Sequence, residues 1–242
     1  MKTFIALIFI STILLNSFTP SETERILAEI DKTQASIKDK TADVEMQMIN
    51  LKSGKKKIKK ANYYQKGLDH KLFKYTYPKS DAGIATLTIP GAVYLYLPMF
   101  KKPKKVTNMA EGNTFNKSDF SLEDMNSKSF SELYSAVKLK DENNIVVLDL
   151  KPKNSKSSYS HIVARFNKQY YYPEKFEYYD KKGTKLKVAL YHHSKIDGLW
   201  VVNQINMTNV KKNHRTLFIM TNIKINTGLS DDLFTVEKMV EN

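Results

Sequence analysis

Residues 91–124, GAVYLYLPMFKKPKKVTNMAEGNTFNKSDFSLED, join a short apolar strand to a long connection. Between residues 93 and 97, aliphatic and tyrosine side chains alternate, so both faces of this strand need to be covered. The alternation does not decide which face is inward. Pro98 ends the strand, and connections as long as the one that follows are usually functional or disordered. We interpret the connection as a mobile flap over a cavity, with Phe115 and Phe120 as its apolar contacts.

The N-terminus has the pattern of an export signal. Lys2 is followed by an apolar run of twelve residues, 4–15, and by small and polar residues up to Ser21. Such a run is too short to span a bilayer. We therefore expect a cleavable signal peptide over residues 1–21, with cleavage after Ser17 or Ser21. An uncleaved N-terminal anchor is the alternative.

Composition limits the chemistry and the partners. The chain has no cysteine, which excludes cysteine-linked lipidation, thiol chemistry and disulfides. Residues 22–242 suffice for one antiparallel β domain, and no linker divides them. Lys and Arg number 39 against 25 Asp and Glu, a formal net charge of +14. Outside the cytoplasm this balance favours lipid headgroups and membrane surfaces over nucleic acid, although a lysine-rich solubilising surface would explain it equally well.

The local patterns predict one helix followed mainly by strands. Ser21 and Glu24 have the spacing of a capping box at the start of an amphipathic helix of roughly four turns. The apolar face of this helix consists of Ile26, Leu27, Ile30 and Ile37. From Thr41 onward, short strands alternate apolar and polar residues and are separated by hairpin signals such as Asp197-Gly198. The expected fold class is mainly β (α+β), with a helical turn after Ser121 and a short last helix after Ser230.

Six motifs, in order along the chain, resemble the LolA-like outer membrane lipoprotein-sorting proteins, relatives of the periplasmic lipoprotein carrier. They are LTIPGAVYLYLP (87–98), LYLPMFKKPKKV (95–106), SDFSLEDM (118–125), YYPEKFEYYDKKGTKLK (171–187), IDGLWVVNQINM (196–207) and NTGLSDDLF (226–234). The flap departs from the family, because NTFNKSDF stands where the family has the glycine-rich GSFMGSDF. The resemblance implies an unclosed antiparallel β half-barrel of about eleven strands, with helices covering a concave side that holds lipid.

No residue pattern indicates catalysis or a metal. Among the five histidines, only His192 and His193 are close in sequence, and neighbours on a strand point to opposite faces, which is wrong for shared metal ligation. Serine elbows, phosphate-binding glycine loops and histidine-glutamate helix motifs are missing from the sequence. We therefore expect no catalytic residue, no metal and no cofactor. An enzyme acting on a polymeric or lipid substrate is kept as a hypothesis that would need a site not visible here.

The strands supply the candidates for a lipid-binding groove. If the sheet curls, the residues expected on its concave side are Val44, Met46, Met48, Phe73, Tyr75, Leu87, Ile89, Leu95, Leu97, Leu148, Leu150, Phe176, Tyr178 and Trp200. Methionine suits a lining that adapts to varied acyl chains. The alternative is that these residues only pack on one another and on the helices. The flap lysines expected to meet anionic headgroups or an acidic partner are Lys101, Lys102, Lys104 and Lys105.

These features favour a carrier over an enzyme. The expected function is a periplasmic carrier that binds acyl chains of lipoproteins or other lipids and moves them between the inner and outer membranes. The alternative is an accessory subunit that docks on an inner-membrane exporter. Expected partners are the cargo, an inner-membrane exporter and an outer-membrane acceptor, with no nucleic acid, and the protein is expected to be a monomer. Triacylated lipoprotein, glycolipid and a sterol-like lipid all remain open as cargo, because an apolar groove discriminates poorly between ligands of different length and bulk.

Overall fold

A computed structural model describes residues 20–106, 114–125 and 128–241. The predicted signal peptide therefore lies almost entirely outside the described residues. The helices are α1 (Glu22–Ala35), α2 (Phe130–Leu133) and α3 (Val236–Val240). The strands are β1 (Asp39–Asn50), β2 (Lys56–Lys66), β3 (His70–Tyr77), β4 (Ala85–Ile89), β5 (Ala92–Tyr96), β6 (Lys104–Lys105), β7 (Tyr134–Glu142), β8 (Ile145–Pro152), β9 (Tyr159–Asn167), β10 (Pro173–Asp180), β11 (Lys185–Ile196), β12 (Leu199–Asn209) and β13 (His214–Ile225).

All strands of the described residues belong to one open antiparallel sheet. Its 13 strands run in the order β6-β5-β4-β3-β2-β1-β13-β12-β11-β10-β9-β8-β7, so β6 and β7 are the free edges and the sheet is not closed. This confirms the predicted LolA-like half-barrel class, with 13 strands where about eleven were expected. Every sequential pair is hydrogen-bonded except β6 and β7, and the connection between these two carries the predicted flap from one edge of the sheet to the other.

Local sequence signals account for the ends of the elements. Ser21 and Glu24 form the predicted capping box, with the Glu24 amide donating to the Ser21 hydroxyl at 3.2 Å. Ile26 is buried on the helix as predicted, whereas Ile37 lies beyond the end of α1. Asp197 and Gly198 have φ of 46° and 82°, the positive values that a two-residue type I′ hairpin requires.

The sheet has two apolar faces. The inner face carries the main core, in which residues such as Met46, Phe73 and Phe176 pack beneath α1. The outer face carries a second cluster, in which Leu72 and Leu87 pack against α3. The prediction that the helices all cover the concave side is therefore wrong for the C-terminal helix. Strands β3 to β5 have apolar residues on both faces, and α3 covers the outer one.

The pairing register shows which face of β5 is inward, a question that the sequence alone left open. Leu72 pairs with Leu87, and Leu87 pairs with Tyr94, so these three side chains share the outer face. Thr86 pairs with Leu95, and both therefore lie on the inner face.

Candidate functional site

The second half of the predicted flap is a buried plug rather than a mobile cover. Residues 114–125, here called the plug, lie against the inner face, and Phe115 and Phe120 are only 5% and 4% exposed. The Phe115 ring packs edge-on against Phe73 of β3 at 5.5 Å, and Phe120 packs against Phe218 of β13 at 5.9 Å. Burial of two phenylalanines stabilises the plug by roughly 2–3 kcal/mol each.

Asp119 fixes the plug to β13. Its carboxylate accepts the Thr216 hydroxyl at 2.8 Å and lies 2.6 Å from Nδ1 of His214. The Asp119 amide donates in return to the Thr216 hydroxyl at 3.0 Å. Asp119 and Thr216 are buried, so these bonds satisfy groups that water cannot reach.

Asp124 fixes the plug to the other half of the sheet. Its carboxylate forms an ion pair with Lys187 of β11, and both side chains are only 3% exposed. The Lys187 ammonium lies 5.1 Å and 4.9 Å from the ring centres of Tyr159 and Tyr178. The Tyr159 hydroxyl donates to Asp124 at 2.8 Å. Burial first, and then the Asp124 charge, raise the pKa of Tyr159 far above its ordinary value, so Tyr159 remains a neutral donor.

Beside the plug, the inner face of β2 to β5 is hollow. A cavity of about 640 Å³ separates these strands from the plug and from the segment before α2. We call it the inner cavity; its apolar wall consists of Tyr63, Phe73, Ile89, Val93, Val106, Phe115, Leu122 and Met125. The exposed residues Pro90, Gly91 and Lys128 are at its rim. The volume lies within the range of small-molecule sites in proteins.

Most of the predicted groove residues lie in the core instead of in the inner cavity. The buried residues packed into the inner-face core are Val44, Met46, Phe73, Tyr75, Leu148, Leu150, Phe176, Tyr178, Phe115 and Phe120. Met48 is buried on the same face, where it pairs with Thr216. Of the predicted residues, Phe73, Ile89 and Phe115 line the inner cavity.

Leu87 corrects the predicted lining. Leu87 is fully buried on the outer face against α3, because β4 pairs with β3 in a register that places Thr86, not Leu87, beside Phe73. Ile89, at the end of β4, contacts that outer cluster and also borders the inner cavity.

The other predicted positions lie outside the inner cavity. Leu95 is half-buried beside edge strand β6, and Leu97 is half-buried directly after β5. Trp200 packs at 5.5 Å against Tyr172, away from the inner cavity. The four flap lysines are exposed at or next to edge strand β6, directly before Val106 in the cavity wall, and none of them lines the inner cavity.

Sequence reasoning missed the ion pair between Asp124 and Lys187, and it missed Lys71, a lysine that lines the inner cavity. Lys187 and Lys71 stand on strands as two of many lysines, and no local pattern shows that Lys187 is buried or that Lys71 borders the inner cavity. For Lys187, the available signal was its position between Leu186 and Val188 on a strand. Among the described residues there is no group of acidic, histidine or cysteine side chains that could hold a metal ion, and no helix is long and apolar enough to cross a membrane.

Comparisons with known proteins agree with this architecture. A family model described as "Uncharacterized protein" matches residues 67–241. An outer membrane lipoprotein-sorting protein domain from Vibrio parahaemolyticus is similar at 25% identity and a TM-score of 0.78, over 89% of this chain and 97% of that chain. A search of curated proteins found no match.

Two further solved structures share the fold. A DUF1329 family protein from Desulfovibrio piger ATCC 29098 has 22% identity and a TM-score of 0.80, over 89% of this chain and 96% of that chain. A LolA superfamily protein from Nitrosomonas europaea has 19% identity and a TM-score of 0.71, over 87% of this chain and 96% of that chain. The chain therefore belongs to the family whose model matches residues 67–241, and its open half-barrel is the LolA-like fold of these outer membrane lipoprotein-sorting neighbours.

Proposed function

We propose that this protein is a periplasmic carrier that binds the acyl chains of lipoproteins or other lipids in the inner cavity and moves them between the inner and outer membranes. The observation that carries the proposal is the inner cavity itself, a space of about 640 Å³ with a mainly apolar wall on the inner face of an open half-barrel. Each methylene that leaves water for such a space contributes about 0.8 kcal/mol, so even partial insertion of an acyl chain gives useful affinity.

The remaining features fit a binding role without chemistry. The polar groups of the plug form hydrogen bonds to one another and to the sheet. These groups therefore stabilise the fold and do not face a reactant. Export by the predicted signal peptide would bring the domain to the periplasm, where lipoproteins pass between the membranes. The fold family supports lipid or lipoprotein binding, and the transport step is part of the proposal.

The test is to fill the inner cavity with a side chain. Thr88 is half-buried, lines the cavity and pairs with Val93, so Thr88→Trp puts an indole into the apolar space without removing a core residue. If the indole displaces about four methylenes, the affinity falls by ~3 kcal/mol, roughly a hundredfold. The matched control is Thr76→Trp, an exposed position on the outer face of the neighbouring strand.

The readout is native mass spectrometry with solvent extraction after export in a bacterium with two membranes. The wild type and Thr76→Trp are expected to carry lipid of defined mass, and Thr88→Trp is expected to be empty. Equal lipid loading of a folded Thr88→Trp protein would refute the cavity as the site. A wild type that stays empty when mixed with lipids and lipoproteins would refute the carrier function.

A second candidate function, docking on an inner-membrane exporter, rests on a different surface. Met99 and Phe100 are 80% and 52% exposed, although both are large apolar residues. They precede the predicted docking lysines, and the Lys104 ammonium lies 5.2 Å from the Phe100 ring. Replacing both Met99 and Phe100 with Ser should abolish capture of a transporter from membranes while lipid loading is unchanged. Unchanged capture would remove this candidate.

A further inference from the structure

The plug borders a second pocket besides the inner cavity. Phe115 lines the inner cavity, whereas Lys117, two residues further along the plug, lines the second pocket. This pocket has a volume of about 620 Å³ and lies between the β1-β2 hairpin, the segment after β3 and the plug. We call it the cationic pocket, because its lining contains the four lysines Lys55, Lys57, Lys59 and Lys117 but only one carboxylate, that of Asp81.

The β2 lysines of the cationic pocket lie on the inner face of the sheet. Lys57 pairs with Met48 and Lys59 pairs with Met46, and both methionines are buried on that face. Residues that pair directly across two strands share one face of the sheet. The two lysines and Lys117 of the plug therefore border one space on the inner face, where a merely solubilising lysine is not expected.

The acidic group of the lining is already engaged. The Asp81 carboxylate forms an ion pair with the Lys59 ammonium at 2.8 Å, and both side chains are half-buried. The hydrogen bond from Lys59 lowers the pKa of Asp81, burial opposes this shift, and the charges of Lys59 and Lys117 lower the pKa further. Asp119 does not line the pocket, and its carboxylate is bonded to His214 and Thr216.

Three lysines of the lining are left without an ion pair. Within the described residues, Lys55, Lys57 and Lys117 form no salt bridge, and all three are exposed. With histidine counted as neutral, four lysines less one carboxylate leave an excess of three positive charges around the pocket. A phosphate monoester carries about two negative charges on one group and accepts hydrogen bonds on several oxygens. It therefore suits several ammonium groups around one space better than a carboxylate, which carries a single charge.

We propose that the cationic pocket is a binding site for a phosphate-bearing group, held by Lys55, Lys57 and Lys117. A phospholipid headgroup and a soluble phosphate compound share this chemistry, and the test below distinguishes the two sources. The site is separate from the inner cavity, so the proposal does not depend on the binding of acyl chains there.

The experiment offers the exported full protein a phosphate from each source at pH 7. Inorganic pyrophosphate is titrated by isothermal calorimetry. Binding to phosphatidylcholine vesicles with and without phosphatidic acid is measured by flotation. Binding only to vesicles that contain phosphatidic acid identifies a lipid headgroup as the source, and binding of pyrophosphate alone identifies a soluble phosphate.

The variants test the lysines of the pocket. Each lysine beside an anionic surface contributes about fivefold in affinity, so Lys55→Gln/Lys57→Gln should bind the phosphatidic acid vesicles about 25-fold more weakly. The same variant should bind pyrophosphate at least about fivefold more weakly. Lys117→Gln should weaken either ligand about fivefold, because it removes the charge that the plug supplies.

The matched control removes the same number of charges from the same hairpin. Lys52 and Lys56 are exposed and do not line the cationic pocket, and Lys56 pairs with Ile49 on the outer face. Lys52→Gln/Lys56→Gln should therefore stay within about twofold of the wild-type affinity.

Three results would overturn the inference. The first is a wild type that binds neither pyrophosphate nor the phosphatidic acid vesicles. The second is a loss of affinity in Lys55→Gln/Lys57→Gln that is absent or no larger than the loss in the control. The third is an unchanged affinity of Lys117→Gln, which would place the phosphate on the hairpin surface and not in the pocket. None of these results bears on acyl-chain binding in the inner cavity, which Thr88→Trp tests.

Discussion

The buried ion pair between Asp124 and Lys187 supports a quantitative prediction about stability. Both side chains are 3% exposed, and the Lys187 ammonium has, besides Asp124, only the Asp119 carbonyl at 3.4 Å and the rings of Tyr159 and Tyr178 as partners within the described residues. Removing one member of such a pair leaves a buried charge without compensation, which costs about 3–5 kcal/mol. This is a large share of a typical unfolding free energy of about 5–15 kcal/mol.

We therefore expect Lys187→Met and Asp124→Asn each to lower the free energy of unfolding by about 3–5 kcal/mol in urea titrations. The double variant should lose less than the sum of the single variants by at least about 2 kcal/mol, because it removes both charges together. Lys185→Met, a lysine two residues away that is 40% exposed, is the control and should cost less than about 1 kcal/mol. Additive losses in the double variant, or a cost below 1 kcal/mol for Lys187→Met, would refute the reasoning.

Three further predictions concern pH, the outer face and the plug. Burial by itself would raise the pKa of Asp39, but hydrogen bonds from three backbone amides and a hydroxyl lower it, so its contribution is present above the unfolded pKa of about 3.9 and is lost as pH falls below it. Asp39→Asn should cost about 1–3 kcal/mol at pH 7 and clearly less at pH 3, measured by urea unfolding at both values. Phe234→Ala, on the outer face, should cost about 3–5 kcal/mol without changing the mass of the lipid carried, and a changed lipid load would contradict the separation of the two faces. In hydrogen exchange followed by mass spectrometry, residues 115–125 should be equally protected in loaded and stripped protein, and protection that disappears on stripping would show that lipid holds the plug.

Local signals predicted the fold well because the causes are local. The capping box at Ser21, the hairpin at Asp197-Gly198 and the alternation along each strand need only neighbouring residues, and all are present. The family motifs then gave the arrangement of the open sheet. Strand β6 consists of only Lys104 and Lys105, which no periodicity could reveal.

The site was harder to predict because it depends on pairing between strands. Alternation shows that Phe73 shares a face with Tyr75, and that Leu87 shares a face with Ile89, but it cannot show whether the two pairs face the same way. The register of β3 and β4 puts them on opposite faces. These strands are apolar on both faces, and in the structure both faces are covered. Their sequence therefore does not indicate which face borders the cavity.

The plug shows how a long connection can be structural and still shape a binding site. Its residues alternate in role along the chain: Leu122 and Met125 line the inner cavity, whereas Asp124 forms the ion pair that ties the segment to the sheet. Moving the plug aside would separate two buried charges at a cost of about 3–5 kcal/mol, which is as much as about four to six inserted methylenes contribute. The plug is therefore a poor candidate for a lid. Entry of an acyl chain fits better at the rim, where Pro90 and Gly91 are exposed and no buried charge has to be separated.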